Sequence, residues 1–148
     1  MLSVLLLPGL LQMLAMLVDE FYFHRKRGLP RWERIGHPLD TLTTALCYGW
    51  ALGTSAAAPH ALGVYVGLAA FSCLFITKDE FVHARLCDPK ESWLHSVLFV
   101  LHPVVLLAFA VLWQLGTYSW LLQAQLALTL TFFMYQLAYW SPMGQRQL

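Results

Sequence analysis

Four glutamate–histidine pairs stand at helical spacing: Glu20 with His24, Glu33 with His37, Glu80 with His83, and Glu91 with His95. Three pairs are four residues apart and Glu80–His83 is three apart, so on a helix each carboxylate lies about one turn from its imidazole on a common face. Asp40 prolongs the second stripe three residues beyond His37, and His102 prolongs the fourth seven residues beyond His95. All eight acidic residues and five of the six histidines crowd into two stretches, and only His60 stands apart. Carboxylates are hard anionic ligands, and neutral imidazole suits iron, zinc, copper and nickel. One zinc ion needs only three or four ligands. A set this large has room for two metal ions, with further carboxylates orienting the imidazoles. The candidate ligands are Glu20, His24, Glu33, His37, Asp40, Asp79, Glu80, His83, Glu91, His95 and His102. Asp19 and Thr44 are candidates to back them, Thr44 because it follows Asp40 by four residues.

Plainer roles compete for some of these residues. Glu33 and Glu91 sit in first helical turns, where negative charge suits the helix dipole. Asp88-Pro89-Lys90-Glu91 reads as a helix cap with proline at the first position, which explains Glu91 without a metal. Arg25, Lys26 and Arg27 can pair with Asp19 and Glu20 and extend to the interface. A metal-free proton relay is the other use for such a cluster. Ionisable groups on apolar helices are costly and mark function more often than packing.

The elements that must position these residues are membrane spans. Hydrophobic residues make up 59% of the 148 and charged residues 11%, against roughly 45–50% and 25% in soluble domains. Five apolar segments, at about 2–24, 32–58, 61–83, 91–115 and 118–140, are each long enough to cross roughly 30 Å of hydrocarbon as a helix. Period-2 alternation is absent, which argues against strands. The first segment lacks the basic start and cleavage site of a signal peptide and reads as a retained span. The expected fold is therefore an all-α polytopic bundle of about five transmembrane helices in one membrane domain.

All nine lysines and arginines (Arg25, Lys26, Arg27, Arg31, Arg34, Lys78, Arg85, Lys90, Arg146) fall on one side of that scheme. The turns at Pro59-His60 and Gly116-Thr117 have none, so the N-terminus is expected outside and the C-terminus in the cytoplasm. Trp113, Tyr118 and Trp120 form the expected outer aromatic belt, and Trp32, Trp93, Tyr139 and Trp140 the inner one. Net charge of +1 gives no footing for nucleic acid. Cys47, Cys73 and Cys87 show no CxxC pairing and read as reduced, small and buried.

An internal repeat organises the chain. DEFYFHRKRGLPRWERIGH, from Asp19, recurs as DEFVHARLCDPKESWLH, from Asp79. The expected units are a hairpin over about 1–58 and a second over about 61–115, parallel and related by an axis near the membrane normal. The fifth helix, at about 118–140, has no counterpart and leaves a face for a homo-oligomer.

In ligand pattern the two hairpins resemble the di-iron and di-manganese carboxylate bundles of the ferritin-like type. In those, two helices each give a glutamate and two others each give a Glu-x-x-His pair, a spacing matched here by Glu80-Phe81-Val82-His83. In histidine content the chain also resembles the membrane desaturases and hydroxylases, although their HxxxH and HxxHH clusters are not present. The resemblance implies two metal ions, iron before zinc or manganese, and an oxidoreductase acting on a lipid-soluble substrate from the cytoplasmic leaflet. A zinc-dependent lipid hydrolase, similar in logic to membrane ceramidases with Ser92 or Ser96 near the metal, is the second expectation. A metal carrier or sensor is the third.

Overall fold

The computed structural model describes residues 2–116 and 118–140, with the side chains of Ser3 and Val4 left out. Thr117 of the expected outer turn and Arg146 of the basic set lie outside the described residues. Every regular element among the described residues is helical. In chain order they are α1 (Leu2–Val18), a π-helical turn (Asp19–His24), α2 (Arg25–Arg27), α3 (Arg31–Gly53), α4 (Ala61–Phe75), a 3₁₀ turn (Ile76–Asp79), α5 (Glu80–Leu86), α6 (Pro89–Leu115) and α7 (Ser119–Tyr139). Joined end to end, they give four helices long and apolar enough to cross a membrane: Leu5–Arg27, Ala61–Leu86, Pro89–Leu115 and Ser119–Tyr139. The remaining long helix, α3, has 23 residues, and Arg31, Glu33, Arg34 and Asp40 make it the most polar of the five.

Local sequence sets the two bends that carry the chemistry. Gly28, at φ 74°, ends α2 and returns its N–H to the His24 carbonyl at 2.8 Å. Glycine adopts that conformation without the Cβ penalty. At the second bend, the Asp88 carboxylate accepts from the N–H groups of Lys90 and Glu91 at 2.8 and 2.9 Å, and Pro89 opens α6, as the capping pattern predicts. The Glu91 and Lys90 N–H groups hold the exposed Asp88 carboxyl below its usual range.

Packing crosses between the repeats. Helix α1 lies chiefly against α6, and α3 against α4 and α7. Helices α1 and α3, expected to close as a hairpin, do not pack along their lengths. A cavity of about 530 Å³ lies among α1, α3, α6 and α7 instead. The apolar core occupies the bundle's other half and joins Tyr48 and Cys47 of α3, Tyr65 of α4, Phe109, Leu112 and Trp113 of α6 and Leu122 of α7. Two tryptophans depart from the expected belts. Trp113 is buried and donates to the Thr54 carbonyl at 3.1 Å. Trp140 is buried and donates to Glu20. Each indole N–H has found an internal acceptor, which a buried tryptophan needs. Trp32, Trp93 and Trp120 remain exposed.

Candidate metal centre

The π-helical turn explains how the two sequence repeats reach one geometry. The first copy has five residue steps from aspartate to histidine (Asp19 to His24), and the second has four (Asp79 to His83). A π-turn bonds i to i+5, so it absorbs the extra residue and keeps aspartate and histidine on one face. Asp19, Glu20 and His24 all point into the bundle. In the second copy a 3₁₀ turn precedes α5, Asp79 and His83 point inward, and Glu80 is exposed.

Four imidazoles from four elements form a ring. Their centroids are 4.6 Å apart for His24–His37, 6.3 Å for His37–His83, 4.2 Å for His83–His95 and 6.2 Å for His95–His24. Carboxylates flank the ring. Asp19 lies 3.2 Å from His24 Nε2 and 3.0 Å from His95 Nε2, bridging the two. Glu20 Oε2 lies 3.4 Å from His24 Nδ1, while its Oε1 accepts from Trp140 at 2.6 Å. Glu33 stands 3.9 Å from both His37 and His83. That is too long for a hydrogen bond and is the separation two ligands of one ion can have, given metal–nitrogen distances of about 2.0–2.1 Å.

Two fixed cations share the site. Arg27 grips Glu33 with both terminal nitrogens, at 2.8 and 3.3 Å, and reaches Glu91 at 3.0 Å. Lys78 joins Asp40 at 2.7 Å to Asp79 at 2.8 Å. Gly36 makes room for the second pair: a Cβ there would stand 3.0 Å from an Asp79 carboxylate oxygen. Asp19, Glu20, Glu33, Asp79 and Glu91 are buried and Asp40 is half-buried. Among the described residues, six carboxylates therefore face two fixed cations, Arg27 and Lys78, which leaves four formal negative charges to be met by protons on the imidazoles or by bound cations. Burying unpaired charge is costly, and two divalent ions would balance four charges.

The imidazoles also have spare donor atoms. His24 Nε2, His37 Nε2, His95 Nδ1 and both nitrogens of His83 are buried with no hydrogen-bond partner, as is Asp79 Oδ1. The Asp19–His24 approach is close without hydrogen-bond alignment. Three sets of side chains bring ligand atoms within 4.8 Å of one another: Asp19, His24, Glu91 and His95; His24, Glu33 and His37; and His83, Cys87 and His95. Sharing His24 and His95 makes these sets neighbours in one centre.

Not all the candidates converge. Glu80 is exposed, and its match to the Glu-x-x-His spacing does not carry it into the cluster, because the 3₁₀ turn and α5 direct Asp79 and His83 inward instead. His102 lies about two turns deeper, with Nε2 on Ser72 at 2.9 Å and Nδ1 on Gln12 at 3.1 Å, so both nitrogens are engaged away from the ring. The Thr44 hydroxyl donates to the backbone carbonyl of Asp40, not to its carboxylate. Asp40 is held by Lys78 at the edge of the cluster.

Sequence reasoning missed four participants. Arg27 pairs with Glu33 and Glu91 rather than with Asp19 and Glu20, since Gly28 folds the chain back over α3 and α6. Lys78 is the second counterion. Trp140 arrives from α7. Cys87 follows His83 by one turn, a spacing that marked it; burial pushes its thiol up to about 12, so it reaches the thiolate form only with a metal to displace the proton. No protein-family model, curated protein or solved structure matches this chain.

Proposed function

We propose that this chain is an integral membrane protein that binds two divalent metal ions in the imidazole ring, iron in the working form, and oxidises a lipid-soluble substrate with dioxygen. The observation that carries the reading is the four-histidine ring with unpartnered ligand nitrogens, flanked by six carboxylates that only two fixed cations meet among the described residues. Mixed imidazole and carboxylate ligation suits iron, and redox iron bound there would supply the chemistry by which two hydrogens leave the substrate and reduce dioxygen to hydrogen peroxide. Asp19 fixes the orientation of His24 and His95. Arg27 and Lys78 hold Glu33, Glu91, Asp40 and Asp79 in place. The basic residues at both bends favour a site at the cytoplasmic face with the N-terminus outside.

Substrate access follows from the cavity. Its walls are largely apolar, including Met13, Met16, Leu98, Phe99, Leu128 and Phe132, and it ends on His24, His37, His83 and His95. Along this wall α1 and α7 do not pack together, although Tyr135 of α7 meets Phe21 and Arg25 at the site end. A lipid chain enters there from the bilayer.

Iron-loaded protein in nanodiscs of extracted membrane lipid is expected to take up oxygen, and a His83→Ala variant or zinc-loaded protein is not. Equal uptake without iron sinks the oxidase. A second reading, a zinc-dependent lipid hydrolase, is favoured by the Cys87 thiol beside His83 and His95, because thiolate and imidazole are zinc ligands. Turnover with zinc alone supports it.

A further inference from the structure

A polar thread runs into the apolar cavity about two helical turns from the metal centre, and its donors can be ordered from the one bond whose direction a carbonyl acceptor fixes. The Thr43 hydroxyl donates to the Asp40 carbonyl at 2.8 Å. Its one proton spent, Thr43 must accept from Ser72, 2.9 Å away. Ser72, having donated, must accept from His102 Nε2 at 2.9 Å. A neutral His102 then carries no proton on Nδ1, which accepts from the Gln12 amide nitrogen at 3.1 Å. That nitrogen also faces the Met16 sulfur at 4.0 Å. The order disfavours the flipped amide, because an amide oxygen facing an unprotonated Nδ1 would be repelled. Gln12 Oε1 is left as the end of the thread, buried and without a donor, on a residue that lines the cavity.

A buried acceptor without a donor is costly, and a cavity wall is where a ligand can supply one. We propose that Gln12 Oε1 is a recognition subsite for a hydrogen-bond donor, a hydroxyl or amide N–H, within the chain of a single-tailed lipid. His102 lies seven residues beyond His95 on α6, so the donor sits roughly 10 Å along the cavity from the metal centre. The subsite sets the register of the chain, and hence which carbon meets the imidazole ring. The proposal rests on the reading of the cavity as the substrate chamber, and it does not depend on a bound metal. His102 and Ser72 are positioning residues that aim Gln12.

Metal-free protein in nanodiscs tests it, using displacement of a fluorescent fatty acid by octadecanoate and by its hydroxy and keto derivatives substituted near the head, in mid-chain and near the methyl end. A mid-chain hydroxy isomer is expected to bind roughly five- to tenfold tighter than octadecanoate, the gain of one hydrogen bond, with the matching ketone showing no gain. Gln12→Leu removes that preference and leaves octadecanoate binding within about twofold. Ser72→Ala frees His102 to change tautomer and Gln12 to flip, so the preference moves toward the ketone. Equal binding of hydroxy and plain chains, no binding of either, or a hydroxyl preference that survives Gln12→Leu overturns the subsite. Metal content is measured on a parallel preparation purified without chelator and reconstituted with iron: two metals there, with no hydroxyl preference in the stripped protein, overturn the subsite alone, and the preference in a protein that takes up no metal on reconstitution overturns the oxidase alone.

Discussion

Replacing Arg27 with methionine is expected to cost the metal-free protein about 3–5 kcal/mol, the range for breaking a buried ion pair by removing one partner. Arg27 is the sole arginine or lysine on Glu33 and Glu91 among the described residues, and those carboxylates are 0% and 3% exposed at their side chains. The guanidinium contacts both, so its loss leaves two buried charges rather than one. Denaturant unfolding in mild detergent measures the cost. Two outcomes refine the physics. Arg27→Met combined with Glu33→Gln and Glu91→Gln recovers most of the loss, because the unpaired charges go with the arginine. A divalent ion added to Arg27→Met alone also recovers part of it, because Glu33 and Glu91 each belong to a ligand set. A cost below about 1 kcal/mol would mean that water or another cation already serves these carboxylates.

Removing negative charge from the ring is expected to act in the opposite direction on stability. Asp19→Asn, alone or with Glu20→Gln, leaves the metal-free protein as stable or more stable, by about 1–2 kcal/mol, because it relieves repulsion in a site with too many anions. The same change weakens metal binding about 10- to 100-fold, since Asp19 orients His24 and His95 and supplies a ligand oxygen. Paired thermal scans with and without iron or zinc read both effects. A site built for function shows this exchange of stability for binding. If the cluster were a structural network, the variant would be destabilised and metal would shift neither protein. That pattern contradicts the metal reading.

Much of the site's raw material was legible in the sequence. The helices, the shared end of the bundle and the inward turn of His24, His37, His83 and His95 all follow from apolar run length and from helical spacing. What escaped was decided by local departures from the 3.6-residue period and by the third dimension. The expected match of Glu20 to Glu80 assumed equal turns in the two repeats. The π-turn at Asp19–His24 and the 3₁₀ turn at Ile76–Asp79 keep Asp19 and Asp79 equivalent, as the repeat aligned them, and leave Glu80 outside. Spacing could mark His102 as continuing the α6 stripe, but not that Ser72 on α4 and Gln12 on α1 would claim both its nitrogens. Trp140 looked like an interfacial aromatic because the acceptor it needs, Glu20, is 120 residues away in sequence. Gln12 did carry a signal: it is a lone amide in an apolar helix, two turns before Asp19 on the same face. The open α1–α3 pair was not legible, since composition shows which faces are apolar and not whether protein, lipid or a bound chain covers them.

Metal content per chain is the most direct test of whether the imidazole ring holds two metal ions. Protein purified in mild detergent without chelator, alongside His83→Ala and Glu80→Ala variants, is assayed by elemental analysis. About two iron atoms per chain are predicted for the parent and for Glu80→Ala, whose side chain is exposed, with at least one lost in His83→Ala, the size of the set following from the ligand count. No bound metal in the parent after reconstitution with iron, zinc or manganese, or equal loss in Glu80→Ala and His83→Ala, would contradict the account and leave the cluster as a proton relay or a structural network.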